Sequence, residues 1–169
     1  MPSPQAEDIG HRGAIRPQRI NDRWFPFCGL KIYLSVPMIA NRSLVRAKTL
    51  ARSIAFTGNE LSSPWVLGQI EFSSNGVNVF DRDRRGAENS DAILADVTEP
   101  STGVGMELMA AYKAGRKIIA VARKGSRVSR MLMQMDGMEF IEFSDDDDLY
   151  EKVIKVLKSL PNGGGGLPG

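Results

Sequence analysis

The sequence predicts an α/β fold in which helices cover both faces of a parallel sheet. Short apolar runs such as KIYLSV (31–36), DAILADV (91–97) and KIIAVA (117–122) alternate with segments of helical spacing. This alternation is typical of right-handed crossovers, which place consecutive strands parallel to one another. About five strands are expected, so the predicted architecture is a doubly wound sandwich of the Rossmann or flavodoxin kind.

The elements of the first half follow from apolar spacing and capping residues. In NRSLVRAKTLARSIAF the apolar residues recur at helical spacing, and Asn41 or Ser43 is suited to cap the helix start. The run SPWVLG is short and apolar, which favours a strand. The predicted elements are a strand at 31–36, a helix at 41–56, a strand at 63–68 and a helix at 77–90.

Strands and helices alternate more regularly in the second half. DAILADV is apolar throughout, as in a buried strand, and Gly115 is placed to end the following helix. Ligands of such sheets bind at the carboxyl ends of the strands, so the loops after 36, 97 and 122 should share one edge. The predicted elements are strands at 91–97, 117–122 and 138–143, and helices at 104–114, 126–135 and 145–159.

The two ends of the chain differ in composition from the middle. Residues 1–28 carry Pro, Arg, Gln and Gly without periodicity, and PNGGGGLPG (161–169) is rich in glycine. We therefore expect a flexible N-terminal arm at 1–28, a single α/β catalytic domain at 29–160 and a flexible C-terminal tail at 161–169.

Charge and hydropathy narrow the classes of partner. The 169 residues carry a net charge of +2, so no strong field favours a nucleic acid polymer or a membrane surface. No apolar run approaches the ~20 residues that span a bilayer. The single cysteine, Cys28, excludes a disulfide within the chain and fits a cytoplasmic location.

The histidine count limits the chemistry. The only histidine, His11, lies in the N-terminal arm. Ser–His or Cys–His nucleophiles and histidine-rich metal sites are therefore not expected in the domain. Carboxylates, hydroxyl groups and backbone amides remain as the groups that could act.

The segment ADVTEPSTGVGMELMAAYKAG (95–115) runs from a strand through a glycine-rich turn into a helix. Ser101 offers a hydroxyl, Gly103 and Gly105 leave room beside the backbone, and a helix N-terminus attracts anions such as phosphate. Glu107 is expected in the first turn. It is either a functional carboxylate or a residue that stabilises the helix dipole by about 0.3–1 kcal/mol.

A second acidic segment, FDRDRRGAENSD (80–91), precedes the strand at 91–97. The structural interpretation of this segment is a solvated helix face on which Asp81 and Asp83 pair with neighbouring arginines. The alternative is a second carboxylate that works with Glu107, because two carboxylates in different environments can divide acid and nucleophile roles.

Further polar residues fall at the same predicted edge. Tyr33 and Ser35 come from the first strand, and Ser35 is a candidate to bind the substrate or its phosphate, although Tyr33 alone would be interpreted as a core aromatic residue. A phosphate could be held by Arg42 or by the basic 123–129 segment, which contains Ser129. The alternative is that these residues are simply solvated. The DDDD run (145–148) fits a helix cap better than a metal site.

Three of these segments together resemble a known family. IYLS, DRD and SDAILADVTEPSTGVGMELMAAYKAGRKIIAV are similar to the nucleoside 2-deoxyribosyltransferase superfamily, and within it to the 2'-deoxynucleoside 5'-phosphate N-hydrolases. The likeness covers about 31–158, and its specific part is 91–121. It implies a doubly wound fold, usually dimeric. It also implies retaining cleavage of the N-glycosidic bond of a small nucleotide, without a cofactor or metal.

The resemblance also implies residue roles. Glu107 matches the nucleophile that attacks C1' of the deoxyribose, and Asp83 the carboxylate that positions it or helps to protonate the departing base. Tyr33 matches a residue near the sugar that disfavours a 2'-hydroxyl. The phosphate positions implied are Ser101, Gly103 and a serine near Ser129, the last supplied by the neighbouring subunit of a homodimer with a shared active site.

The sequence departs from the family after the first strand. Related hydrolases carry Gly-Ser where this chain has Val36 and Pro37, and Pro37 has no N–H to offer a phosphate. Arg42 or the 123–129 segment are the candidates to compensate. Members of the transferase branch usually close the site of the sugar 5'-hydroxyl with a polar C-terminal segment of a neighbouring subunit, whereas this sequence ends in Gly, Leu and Pro. The resemblance therefore implies a 5'-monophosphate substrate with water as acceptor. The alternatives are a base-exchanging deoxyribosyltransferase, a related ribonucleotide phosphoribohydrolase and a non-catalytic nucleotide-binding module.

Overall fold

The computed structural model describes residues 18–20, 23–25, 29–39, 42–68 and 76–161. Two short strands, β1 (Gln18–Ile20) and β2 (Arg23–Phe25), pair antiparallel. The main sheet contains β3 (Lys31–Ser35), β4 (Glu60–Leu61), β5 (Ala92–Asp96), β6 (Lys117–Arg123) and β7 (Met138–Phe143). The α-helices are α1 (Leu44–Phe56), α2 (Val79–Glu88), α3 (Thr102–Lys113), α4 (Arg130–Met133) and α5 (Asp146–Ser159).

The main sheet is parallel throughout, in the order β4-β3-β5-β6-β7. Alternate strand residues point to opposite faces, so each face has its own apolar core. Ile32, Leu34 and Leu94 pack with α1 and α5, whereas Tyr33 and Ile93 pack with α2 and α3. The predicted doubly wound α/β fold with five parallel strands is confirmed.

The chain reverses its direction of winding beside β3. From β3 it crosses outward to β4, and it then returns to place β5 on the other side of β3. Such a reversal opens a crevice between the two adjacent strands at their carboxyl ends. Ser35 ends β3 and pairs with Ala95 in the register, so the last residues of both strands border this crevice.

The predicted strand at 63–68 is wrong. The nearby strand, β4, ends at Leu61, and Pro64–Leu67 form a 3-10 helix with Pro64 at its start, where a missing N–H costs nothing. The hydroxyl of Ser63 replaces the next rung of the sheet. It accepts from Leu34 N and donates to Leu34 O, both at 2.8 Å.

The predicted helix at 126–135 is much shorter in the structure. Only Arg130–Met133 are helical, and the backbone before them turns through Gly125, whose φ is +85°. The remaining predicted helices of the domain form within a few residues of their expected bounds. Ser43 caps α1 by accepting from Arg46 N at 3.2 Å; Asn41, the other predicted cap, lies outside the described residues.

The predicted terminal segments lie mostly outside the described residues. Within the arm at 1–28 the structure describes β1 and β2, which the sequence did not predict, and of the tail at 161–169 it describes residue 161. The domain bounds 29–160 stay a prediction. Among the described helices, none has the length and apolar character needed to cross a bilayer. The cytoplasmic location stays a prediction from the cysteine content.

Candidate active site

A carboxylate on α3 faces two hydroxyl groups on β3. Ser35 Oγ donates a hydrogen bond to Glu107 Oε2, and Tyr33 Oη donates to Glu107 Oε1 at 3.4 Å. Tyr33 and Ser35 reach the same side of the sheet because strand residues two apart share a face. Both oxygens of the Glu107 carboxylate are thus held at the crevice beside β3.

Glu107 lies in the second turn of its helix, not in the first as predicted. Ser101 caps α3, accepting from Val104 N at 3.4 Å, so the helix begins at Thr102, two residues earlier than expected. The first turn of this helix holds no acidic residue. Because the dipole effect is largely confined to the first turn, helix stabilisation does not account for Glu107.

The two aspartates of α2 lie in different surroundings, one typical of a solvated helix face and the other of a group near Glu107. Asp81 makes an exposed ion pair with Arg84 at 3.5 Å. Asp83 is less exposed, at 18% of its side chain, and its charge acts on both Glu107 and Tyr33. Asp81 therefore belongs to a solvated helix face, and Asp83 belongs to the group around Glu107.

The surroundings of Glu107 favour its protonated form. Burial raises the pKa of Glu107 from 4.5 to about 7, and the charge of Asp83 adds to that rise. Hydrogen bonds from Ser35 and Tyr33 and the positive charge of Arg82 act in the opposite direction. A carboxyl whose pKa lies near neutrality can serve as carboxylate or as acid at physiological pH.

Tyr33 is both a core residue and a member of the site. Its ring is 1% exposed and meets Trp65 edge-on, with centroids 6.2 Å apart. Burial raises the pKa of the Tyr33 hydroxyl, and the negative charges of Glu107 and Asp83 raise it further. The hydroxyl therefore stays protonated and remains a donor toward Glu107.

The residues predicted to bind the substrate or its phosphate lie in different places in the structure, and Ser35 among them is bonded to Glu107. Arg42 Nη2 donates to the carbonyls of Val66 at 2.5 Å and Gly68 at 2.9 Å, so its guanidinium supports the 3-10 helix. Its role toward a phosphate stays a prediction. Gly103 is exposed at the start of α3, and a Cβ there would lie 3.9 Å from Ser101 Oγ.

A cavity of about 760 Å³ lies between α3 and the 127–136 segment. From the predicted residues, Ser101, Gly105 and Ser129 line it. Glu107 points away from this cavity toward β3. The structure thus brings Tyr33, Ser35, Asp83 and Glu107 together on one side of α3, and the three others on another side.

The acidic run at 145–148 caps α5. Asp145 Oδ1 accepts from Asp148 N at 2.9 Å, and Lys152 pairs with Asp148 at 2.9 Å. Among the residues that the structure describes, no group of three or more His, Cys, Asp or Glu side chains is arranged to hold a metal ion.

Two residues at the site were missed by the sequence analysis. The guanidinium of Arg82 lies 4.6 Å from the centroid of the Trp65 ring. Arg82 was interpreted as part of a solvated face, and Trp65 fell in a predicted strand. No local signal identifies this contact, because it joins residues 17 positions apart through the tertiary fold.

Comparison with known proteins identifies related chains. A protein of Thermofilum pendens, named as a 2'-deoxynucleoside 5'-phosphate N-hydrolase 1, is 30% identical over 136 residues, which are 76% of this chain and 95% of that protein. The solved structure of a CMP N-glycosidase from Clostridium botulinum superposes with a TM-score of 0.58 at 16% identity, covering 75% of this chain and 98% of its own.

A second solved structure has the same fold. The 2-deoxyribosyltransferase of Bacillus psychrosaccharolyticus superposes with a TM-score of 0.57 at 21% identity, covering 75% of this chain and 95% of its own. No family model matches the chain. The extent of the likeness to the Thermofilum pendens protein shows that this chain belongs to the 2'-deoxynucleoside 5'-phosphate N-hydrolases and is an N-glycosidase.

Proposed function

We propose that this enzyme hydrolyses 2'-deoxynucleoside 5'-monophosphates to a free base and 2-deoxyribose 5-phosphate. The observation that supports it most directly is the Glu107 carboxyl, held by Ser35 and Tyr33 beside the charge of Asp83. The name of the Thermofilum pendens relative supports the same substrate class.

The first chemical step assigns a separate role to each carboxylate. Ionised Glu107 attacks C1' of the deoxyribose, the C1'–N bond breaks, and the electron pair of that bond leaves with the base. Positive charge develops at C1' in the transition state, and the adjacent carboxylate stabilises it. Asp83 positions Glu107 or helps to deliver a proton to the departing base.

The second step returns the enzyme to its starting state. Water attacks C1' of the glycosyl ester and loses a proton, which replaces the one given to the base, and the bond to Glu107 breaks with its electron pair remaining on the released carboxylate. Two displacements at one carbon give 2-deoxyribose 5-phosphate with retained configuration. Tyr33 is fixed by its packing against Trp65 and by its bond to Glu107, and we assign it to exclusion of a 2'-hydroxyl.

We further propose a homodimer in which a second copy of this chain covers the cavity between α3 and 127–136. The cavity wall includes Met109, Tyr112 and Met131, which are 37%, 42% and 73% exposed. The side chain of Ser129 makes no capping bond to α4, so it is available to a phosphate. Ser101, Gly103 and Gly105 supply the phosphate region at the start of α3.

Oligomeric state and subunit complementation test this dimer. Light scattering should give a molar mass of twice that of the chain. In Met131→Asp the molar mass should fall to that of a single chain. A mixture of inactive Glu107→Gln and Ser129→Ala chains should regain activity if Ser129 serves the neighbouring site. An active protein that is strictly monomeric would contradict the shared site.

Base release from a nucleotide panel tests the reaction. The panel contains the four deoxynucleoside 5'-monophosphates, the matching ribonucleotides and the unphosphorylated deoxynucleosides, with a second free base added in parallel. Cleavage confined to the deoxy monophosphates supports the hydrolase. A new nucleoside would indicate base exchange instead. Binding without cleavage would favour the non-catalytic module. Buried Pro37, which lacks an N–H for the phosphate, would then be the first residue to substitute.

A further inference from the structure

Arg82 makes two contacts at the edge of the site. Its Nε donates to Asp83 Oδ1 at 2.7 Å and its Nη2 to Asp83 Oδ2 at 3.2 Å, so the guanidinium holds both carboxylate oxygens. Its Cζ atom also lies 4.6 Å from the centre of the Trp65 ring. Adjacent residues of a helix do not normally face each other, so a two-point contact between positions 82 and 83 needs an external support.

Trp65 provides that support because it is itself held in place. It lies in the 3-10 helix at Pro64–Leu67, and the carbonyls of Val66 and of the C-cap Gly68 accept hydrogen bonds from Arg42. Its ring packs edge-on against Tyr33. The Trp65 ring therefore connects the strand that carries Tyr33 with the helix that carries Asp83.

We propose that Arg82 is a positioning residue: held between the Trp65 ring and the Asp83 carboxylate, it fixes Asp83 beside Glu107 and supplies the positive charge that lets two carboxylates share one site. This inference rests on the proposed function, because it acts through the two carboxylates of that mechanism. Like charges repel strongly in a water-poor site, and a fixed guanidinium offsets that repulsion.

The groups around Glu107 determine the effect of removing Arg82. Tyr33 and Ser35 of β3 donate hydrogen bonds to Glu107, and from α2 Asp83 raises the pKa of Glu107 whereas Arg82 lowers it. The hydrogen bond to Asp83 raises the pKa of Arg82 itself, so its positive charge persists. Loss of that charge should shift the ionisation of Glu107 to higher pH.

The test compares Arg82→Gln with Arg82→Lys and with a matched control, Arg84→Gln. Arg84 lies on the same helix with similar exposure, 35% against 34%, and pairs with Asp81 and Glu88. Two readouts are used: the pH profile of kcat/KM, and direct titration of the Glu107 carboxyl by ¹³C NMR, which needs no substrate.

In Arg82→Gln, both the acidic limb of the profile and the Glu107 titration should move up by about one pH unit. Arg82→Lys should shift them less, and Arg84→Gln should leave them in place. If Arg82→Gln does not fold, Arg82→Met retains the unbranched stem against Trp65 and gives the same comparison.

An unchanged Glu107 titration in the neutral variants would overturn the inference, even if activity fell equally at every pH. If the wild-type enzyme released no base from any nucleotide, the proposed function would fail on its own account. The NMR titration would then still decide whether Arg82 controls the charge of Glu107.

Discussion

The backbone of Gly86 lies directly against the ring of Tyr33. A Cβ built on Gly86 would come within 2.6 Å of Tyr33 Cε2 and 3.0 Å of Tyr33 Cδ2. The ring cannot move aside easily, because it is 1% exposed and packs against Trp65. Glycine in the last turn of α2 is thus required by the closeness of a site residue, and not by helix formation, which glycine disfavours.

Gly86→Ala should therefore lower both stability and activity. The added methyl group forces Tyr33 or α2 to shift, which typically costs about 1–3 kcal/mol in an overpacked core. The same shift should disturb the bond between Tyr33 and Glu107. Urea unfolding and base release measure the two effects.

A matched control exists for the stability effect. Gly105 is also helical, and a Cβ there would meet nothing within 4 Å. Gly105→Ala should raise stability by up to about 1 kcal/mol, because alanine favours the helix. Equal stability changes in the two variants would show that the contact with Tyr33 is unimportant.

Glu107→Gln should abolish base release. The amide has nearly the same shape but cannot form the glycosyl ester, so we expect a loss of at least about a thousandfold in kcat. Nucleotide binding, measured by calorimetry, should persist, since the fold around Ser35 is retained. A variant that works at the wild-type rate would refute Glu107 as nucleophile.

Activity should depend on pH through the ionisation of Glu107. Its pKa is raised to about 7, chiefly by burial, so the carboxylate form is lost as pH falls through that value. We expect kcat/KM to fall about tenfold per pH unit below pH 7 and to level off above it.

The phosphate of the substrate also titrates near pH 6, so a control must separate the two groups. The hydrogen bond from Ser35 lowers the pKa of Glu107, and its removal in Ser35→Ala should move the acidic limb to higher pH. The substrate's own ionisation is unaffected by that substitution. A limb that stays in place would assign the pH dependence to the phosphate.

Local rules were sufficient to anticipate which side chains meet beside β3. The two-residue period of a strand places Tyr33 and Ser35 on one face, and the carboxyl-end rule places that face near the helix that carries Glu107. The roles of these residues stay proposals. Their convergence is a consequence of the parallel α/β order, which the alternation of apolar and helical segments indicates.

The contact between Trp65 and Arg82, which supports the site, could not be predicted from those local rules. SPWVLG has the composition of a strand, but the Ser63 hydroxyl bonds to both polar groups of Leu34 and ends the pairing there. The 3-10 helix that results is what brings Trp65 to Arg82. Such a contact depends on distant segments packing together, so no periodicity within either segment could reveal it.

Glu107 should also reduce the stability of the folded enzyme as pH rises. Its pKa is raised from 4.5 to about 7 on folding, so between these values the folded protein binds the proton that the unfolded chain has lost. The contribution of Glu107 protonation to the free energy of unfolding is therefore fully present below about pH 4.5. It declines by about 1.4 kcal/mol per pH unit and levels off above about pH 7. Glu107→Gln cannot ionise, so its free energy of unfolding should exceed that of the wild type by an amount that grows across this range to the order of 3 kcal/mol.

Urea unfolding at pH 4.5, 6 and 8 measures this difference. Glu151→Gln, an exposed substitution on α5, is the control and is expected to change little. A constant difference between Glu107→Gln and wild type at all three pH values would show that the carboxyl is not held in its protonated form by the fold.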